Sequence, residues 1–266
     1  MKILLFILFL PLSAYAGMMS FSVSPGIVKF ETVQGSVKSF DLNFINQGDN
    51  LLKVDVQVMD LKLDANGVPV ISKMSKKNGQ WGRFVKLDKN SFKLSGKQSK
   101  KINVTLKTPR GGYGGGYFAV VFNTSAAKSK NGNKKSKNSM TIGGQIPALF
   151  IGEISRMGTR KMQVLKGAIN KAPYTEDNPF KFRFLLKNNG TTHANVEGDV
   201  LIRHNKKVVG RVRLESGSGL VFPNGERYFV ATWDKFTKYS NKKLQAEARF
   251  SYSGGRATKK MRFIIK

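Results

Sequence analysis

The chain has 266 residues, with 46 lysines and arginines against 16 aspartates and glutamates, and it has no cysteine. The lack of cysteine excludes disulfides, thiol catalysis, thiolate metal sites and a lipid anchor on cysteine, so stability has to come from hydrophobic cores. The formal net charge of +30 favours an anionic counter-surface, while a generally basic source proteome is the alternative explanation.

The first 16 residues have the three parts of a secretory signal peptide. Lys2 is followed by an apolar run over residues 3–12 and by the small-residue segment Ser13-Ala14-Tyr15-Ala16 before Gly17. An apolar run of about ten residues is too short to span a bilayer. We therefore expect secretion across the inner membrane, to the periplasm or the cell surface. The remainder is long enough for two ordinary domains.

Apolar and polar residues alternate from residue 21 onward, as in β-strands with one buried face. Residues 21–24 and 28–30 are predicted to form one edge strand that Pro25-Gly26 interrupts. Residues 40–44 and 52–63 alternate cleanly. Asp64-Ala65-Asn66-Gly67 predicts a hairpin turn of the Asn-Gly type, with the chain returning over residues 68–71.

The next stretch repeats the order of strand, turn and strand. Residues 81–87 lead into Phe92-Lys93-Leu94, a Ser95-Gly96 turn and a strand over residues 99–106. A glycine-rich connector over residues 111–116 then precedes the aromatic strand 117–122. This order is typical of an all-β sandwich.

Residues 126–139 consist of small and basic residues that cannot bury a core, so we expect a mobile loop there. Residues 140–154 are nearly all apolar and predict the closing strand of a first sandwich. A second set of strands follows, over residues 162–169, 180–185, 194–203, 208–214, 228–233, 244–252 and 260–265.

No window has a sustained 3.6-residue period, so helix should be minor. The predicted fold is all-β, with two tandem immunoglobulin-like antiparallel β-sandwich domains. Their expected bounds are residues 17–158 and 159–266, joined near residues 156–161.

Two segments carry a resemblance to a known group of proteins. Phe84-Val85-Lys86-Leu87, with the following turn at Ser95-Gly96-Lys97 and the pair Gly116-Tyr117, resembles a motif of immunoglobulin-like domains in bacterial periplasmic and surface proteins. Phe184 to His193, with its Asn188-Asn189-Gly190 turn, and Val221 to Arg227 resemble segments of the same proteins. The pilus-assembly chaperones of chaperone–usher systems share this pattern.

The resemblance implies a particular mode of binding. Such chaperones hold the carboxyl terminus of a pilus subunit with an arginine on the first strand and a lysine on the last strand of domain one, and they lend that last strand to the subunit. In this sequence Ile27 occupies the position of the arginine, and Pro147 or Ala148 lies at or near the position of the lysine, so neither cation is present. Pro147 is expected to interrupt the hydrogen-bond ladder of the lent strand.

Groups for catalysis or metal binding are sparse. His193 and His204 have no metal-motif spacing, and we expect structural or exposed roles for them. The carboxylates of Glu197 and Asp199 are predicted to point to one face of a strand and to form salt bridges with nearby lysines. The sequence therefore predicts no enzyme, no cofactor and no metal site.

Two binding hypotheses remain open. In the first, another envelope protein, with a pilus-type subunit as one option, binds an edge strand through Met140, Ile142, Ile146, Leu149 and Ile151. In the second, anionic cell-wall polymers or lipid headgroups bind the basic loop through Lys128, Lys130, Lys134, Lys135 and Lys137. Binding of nucleic acid is not predicted, since the loop has few neighbouring aromatic residues. Polymer binding should weaken steeply with salt, whereas strand addition should change little.

Overall fold

The computed structural model describes residues 20–74, 81–111, 114–126, 143–215 and 217–265, and most of these residues lie in strands. The strands of the first half are β1 (Phe21–Ser24), β2 (Ile27–Thr32), β3 (Val37–Asn46), β4 (Leu52–Leu63), β5 (Pro69–Ser72), β6 (Val85–Leu87), β7 (Ser91–Leu94), β8 (Ser99–Lys107), β9 (Gly115–Ala126) and β10 (Gly143–Ile154). Those of the second half are β11 (Met162–Ile169), β12 (Lys181–Asn188), β13 (Ala194–Asn195), β14 (Glu197–His204), β15 (Lys207–Arg213), β16 (Leu220–Val221), β17 (Glu226–Thr232), β18 (Lys243–Tyr252) and β19 (Gly255–Ile264).

The first ten strands form a β-sandwich. One sheet has the order β1-β3-β8-β6, and the other has the order β2-β10-β9-β4-β5, with β7 also paired to β4. Alternate residues of each strand point inward, so apolar side chains from both sheets meet in one core. The rings of Phe44 on β3 and Phe122 on β9 stack across this core with centroids 5.2 Å apart.

The remaining strands form a second sandwich. A sheet of order β11-β12-β17 faces a sheet of order β15-β14-β18-β19, and β13 pairs with β16 beside them. Phe184 of β12 meets Phe250 of β18 edge-to-face with ring centroids 5.6 Å apart. Both rings are buried in a core separate from that of the first sandwich. Each of the two sets of alternating strands needs a core in which to bury its apolar face, and each sandwich provides one such core.

The predicted fold class is confirmed: the chain is all-β, with two tandem immunoglobulin-like sandwiches. Pairing is antiparallel throughout the described residues except between β2 and β10, which run parallel. The last strand of the first sandwich ends at Ile154 and the first strand of the second begins at Met162. The exact bounds of residues 17–158 and 159–266 stay a prediction.

Two local predictions are wrong. Residues 21–24 and 28–30 do not form one interrupted edge strand, because the chain changes sheets at Pro25-Gly26: β1 pairs with β3, and β2 pairs with β10. Trp81–Phe84 is a short 3₁₀ segment and not the start of a strand. The turn carries the buried indole of Trp81 onto Gly116, at a point where a Cβ atom would collide with it.

The Asp64–Gly67 hairpin turn between β4 and β5 is confirmed. The Asp64 carboxylate accepts the backbone N–H groups of Asn66 and Val68, each at 2.8 Å. Gly67 has φ +82°, a conformation that glycine adopts without strain. This hairpin reaches the second sandwich, where the Ala65 carbonyl accepts the N–H of Tyr228 at 2.7 Å.

Candidate functional site

The strands β9 and β10 form a long antiparallel pair at the centre of the candidate site. Their register is continuous from Gly143 opposite Ser125 to Glu153 opposite Gly115. On its other side β10 is covered only in part, because β2 pairs with residues 149–154 alone. Among the described strands, none pairs with residues 143–148 on that side. We call residues 143–148 the free edge.

The backbone groups that the free edge presents follow from the neighbouring pairing. The N–H of Leu149 donates to the carbonyl of Gly26 at 2.9 Å, so Leu149 directs its backbone groups toward β2. These groups alternate sides along a strand, so Gly143, Gln145 and Pro147 direct theirs to the same, unpaired side. The expected break at Pro147 therefore does not fall in the ladder with β9, where the register passes through it unchanged. The donor that proline lacks is missing from the free edge instead.

Side chains of β10 alternate between two environments, and the predicted partner-binding residues divide between them. Ile146 packs against the core of the first sandwich. Leu149 and Ile151 point to the opposite face and pack with Leu61, Leu220 and Phe222 in a cluster that joins the two sandwiches. That these residues bind a partner stays a prediction. Met140 and Ile142 lie outside the described residues, as do all five loop lysines, Lys128, Lys130, Lys134, Lys135 and Lys137.

An aromatic contact closes the apolar part of the junction between the sandwiches. The ring of Tyr117 on β9 stacks on that of Phe222 with centroids 3.8 Å apart and planes 20° apart. Near it, the N–H of Gly115 donates to the carbonyl of Thr191 at 2.9 Å. Apolar burial and a backbone hydrogen bond therefore hold the same end of β9 against the second sandwich.

A polar network lies beside this contact, and we call it the interdomain clamp: Glu153, Arg160, Thr192, His193 and Tyr117. The Glu153 carboxylate accepts hydrogen bonds from Arg160 Nη2 at 2.5 Å and from Thr192 Oγ1 at 2.8 Å. Arg160 Nε donates to the His193 carbonyl at 2.9 Å. Tyr117 Oη lies 3.2 Å from His193 Nδ1. The side chains of Glu153 and Arg160 are only 19% and 23% exposed, so water screens this pair less than a surface pair.

Burial sets the protonation of the two ring groups in the clamp. Burial raises the pKa of the Tyr117 hydroxyl well above its usual value. Hydrogen bonds with Thr192 and His193 lower this pKa in part, and the negative charge of Glu153 raises it further. Burial also lowers the pKa of His193, and the charges of Arg160 and Lys29 lower it further while Glu153 raises it. At neutral pH both groups are therefore uncharged, and Glu153 and Arg160 carry the only charges within the clamp.

An open cleft of about 450 Å³ lies between the sandwiches at the junction. Residues of both halves line it, among them Leu61, Leu63, Trp81, Tyr117, Thr191 and Phe222. Its walls combine these aromatic and aliphatic side chains with polar residues that include Asp60, Lys62 and Asn224.

The two positions that the resemblance placed in a binding cleft lie in different environments. Ile27 is 56% exposed, whereas Ala148 is fully buried, so a longer side chain at residue 148 would point into the core of the first sandwich. Lys29 lies opposite Ile151 and near enough to His193 to affect its pKa. Sequence reasoning missed this cation. The alternation of side chains along β2 could have identified Lys29, because residues 27 and 29 lie on the same face of the strand.

Groups for other chemistry are dispersed. In the described ranges, no three histidine, aspartate or glutamate side chains come together as metal ligands would. Within the same ranges, no helix is long and apolar enough to cross a membrane. His204 lies beside a hairpin turn with Nδ1 3.1 Å from the Lys243 carbonyl. Asp199 forms an ion pair with Arg211 at 2.5 Å, so its partner is an arginine and not the lysine that we expected.

Comparison with known proteins gives structural neighbours only. No protein-family model matches the sequence, and no curated protein matches it significantly. The fold is similar to that of the class 5 fimbriae chaperone CfaA, with 12% identity, 93% of this chain and 99% of that chain covered, and a TM-score of 0.46.

It is also similar to the E. coli chaperone DraB, with 13% identity, 93% and 98% of the two chains covered, and a TM-score of 0.41. A third similar structure is the CsuC–CsuE chaperone–tip adhesion subunit complex of Acinetobacter baumannii Csu pili, with 12% identity, 93% and 99% coverage, and a TM-score of 0.42. Pilus-assembly chaperones, which the sequence motifs resemble, thus stand among the structural neighbours of the chain.

Proposed function

We propose that the chain is a non-enzymatic periplasmic assembly chaperone. An extended segment of a pilus-type subunit binds to it as an added strand along the free edge of β10. One observation carries the proposal: residues 143–148 are paired with β9 on one side and with no described strand on the other. An unpaired strand edge is a template for another strand, and addition of a partner strand is a recurrent mode of peptide recognition.

The free edge defines what can bind it. It spans six residues of β10, or about 20 Å at the usual rise per residue. By parity it offers the carbonyls of Gly143, Gln145 and Pro147 but the N–H groups of Gly143 and Gln145 only. Pro147 therefore removes one donor at a fixed position, which restricts the register of an incoming strand and discourages pairing between copies of the chain.

The second sandwich supports this role by fixing the end of the same strand. Glu153 near the end of β10 is held by Arg160 and Thr192, so the direction of β10 is set at the junction. The partner we propose is of the kind present in the CsuC–CsuE structure, a pilus subunit bound to its chaperone before assembly. Export to the periplasm depends on residues 1–16, which lie outside the described residues.

A backbone substitution tests the free edge directly. Gln145→Pro removes an N–H that faces the unpaired side and leaves the ladder with β9 in place, whereas Gln145→Ala keeps that N–H. We expect Gln145→Pro to lose co-purification of the subunit from periplasmic extract and Gln145→Ala to retain it. Retention by both variants, with unchanged thermal unfolding, would exclude strand addition at this edge.

A photo-cross-linking residue identifies the partner segment. Placed at Gln145, it should capture one extended, apolar-alternating segment of a pilus-type subunit, identified by mass spectrometry. Placed at the exposed Lys38 on the opposite sheet, it should not. Equal capture at both positions would contradict the proposal.

The dependence of binding on salt concentration distinguishes strand addition from polymer binding. Capture at Gln145 should change little between low and physiological salt. Deletion of residues 128–137 should leave it intact. If deletion instead abolishes sedimentation with envelope fractions and capture at Gln145 is absent, the polymer-binding hypothesis gains and the chaperone proposal fails.

A further inference from the structure

A basic groove lies at one end of the four-stranded sheet of the second sandwich. It has a volume of about 490 Å³ and lies where the β14–β15 hairpin meets β18 and β19. Four cationic residues line it: Arg203, Lys206, Lys243 and Arg262. Among the described residues that line it there is no carboxylate. We call these four side chains the groove cations.

Strand register brings the groove cations together. Arg203, Gln245 and Arg262 lie opposite one another on β14, β18 and β19, and Lys243 lies opposite Ile264 in the next row on the same face. Neighbouring strands are about 4.8 Å apart and alternate residues share a face, so these side chains converge.

The hairpin turn supplies the fourth cation. Asn205 and Lys206 have φ values of 46° and 67°, as a two-residue turn with both central residues in the left-handed region requires. His204 pairs with Lys207 across this turn, and the His204 ring is held by the Lys243 carbonyl. The backbone of the tip is therefore ordered next to β18, and Lys206 lines the groove from that side.

The groove cations are poorly compensated. Arg203 Nη2 lies 3.8 Å from Glu247 Oε2. In the part of the chain that the structure describes, Lys206, Lys243 and Arg262 have no ion-pair partner. Elsewhere on the same sheet face, carboxylates are interspersed: Asp199 binds Arg211, and Glu247 binds Arg249. Carboxylates therefore lie among the cations elsewhere on this sheet, but not among the residues that line the groove.

We propose that this groove binds a ligand carrying two or more phosphate groups. A single carboxylate would compensate one of four cations, whereas clustered phosphates match both the charge and the guanidinium forks of Arg203 and Arg262. The side-chain amides of Asn205 and Gln245 add neutral hydrogen-bonding groups to the lining of the groove. The proposal concerns the second sandwich and is independent of the free edge.

Calorimetric titration of the full chain with inorganic tripolyphosphate tests the groove. We expect saturable binding with one site per chain that weakens as salt rises. The double variant Lys206→Gln, Arg262→Gln should bind at least about a hundredfold more weakly, since each lost charge-assisted contact costs roughly tenfold. The control Arg213→Gln, Arg256→Gln removes the same charge from the same sheet outside the groove and should change affinity less than about threefold.

Vesicles distinguish the two sources of such a ligand. Sedimentation with phosphatidylcholine vesicles that contain diphosphoryl lipid A, competed by tripolyphosphate, would assign a lipid headgroup. Tripolyphosphate binding without sedimentation would assign a soluble phosphate ligand. Absence of saturable tripolyphosphate binding, or equal weakening in the groove and control variants, would overturn the proposal.

Discussion

The interdomain clamp makes a quantitative prediction about how the two sandwiches depend on each other. Glu153→Gln removes the negative charge of the carboxylate to which Arg160 Nη2 and Thr192 Oγ1 both donate hydrogen bonds. Hydrogen bonds to charged groups are worth about 1.5–3 kcal/mol when buried, and side chains that are a fifth exposed keep part of that value. The Arg160 charge then also lacks its partner at the junction. We therefore expect the free energy of unfolding to fall by about 2 kcal/mol.

The two tryptophans allow this loss to be followed in each sandwich. Trp81 is buried in the first core and Trp233 in the second, and the chain has no other tryptophan. Urea unfolding of Glu153→Gln in Trp81→Phe and Trp233→Phe backgrounds reports one sandwich at a time, which matters because a two-domain chain need not unfold in a single step. The matched control is Glu31→Gln. Glu31 is exposed and accepts a hydrogen bond from Ser155 Oγ, so its substitution should change the free energy of unfolding by less than about 0.5 kcal/mol.

The outcome separates coupling from local packing. If the clamp couples the sandwiches, both tryptophan reporters should shift to lower urea in Glu153→Gln. A double-mutant cycle with Arg160→Gln should then return an interaction energy of at least about 1 kcal/mol. Shifts no larger than those of Glu31→Gln, or a shift in one reporter alone, would refute this reasoning.

Two further predictions concern the same junction. Gly116→Ala places a methyl group under a buried indole and should destabilise the first sandwich by about 1–3 kcal/mol, measured by urea unfolding. For His193, burial lowers the pKa in the folded chain, Arg160 and Lys29 add to this and Glu153 opposes it, so the unfolded chain binds the proton more readily. Stability should therefore fall as pH drops below about 6.5, and His193→Gln should flatten that part of the pH profile; an unchanged profile would contradict this.

The sequence predicted most strands because alternation of apolar and polar residues is local information. β11 was predicted at Met162–Ile169, as observed, and the Asp64–Gly67 turn follows from side-chain and glycine chemistry within four residues. The change of sheet at Pro25-Gly26 was missed, because a strand that switches partners has the same alternation as one that does not. Which sheet it joins depends on β10, more than a hundred residues further along the chain.

The candidate site was predictable only in part. The sequence identified β10 as the strand of interest, but its nearly continuous apolar run contains no period that would assign residues to faces. Ile146 and Leu149 therefore entered one predicted set although they differ in parity and pack against different clusters. The clamp was not predicted, because Glu153 and Thr192 meet only once both sandwiches are folded and docked.

This division of β10 changes which substitution can test strand addition. From the sequence alone, Leu149→Asp would be the natural test, because the sequence predicts that Leu149 lies on an edge strand. In the structure Leu149 is paired with β2 and packs against the cluster between the sandwiches, so a carboxylate there would weaken the junction whether or not a partner binds. Gln145 differs in both respects: its side chain is exposed, and its backbone faces the unpaired side. Removing its N–H alters the free edge and leaves the junction intact, so loss of partner binding by Gln145→Pro can be attributed to the edge itself.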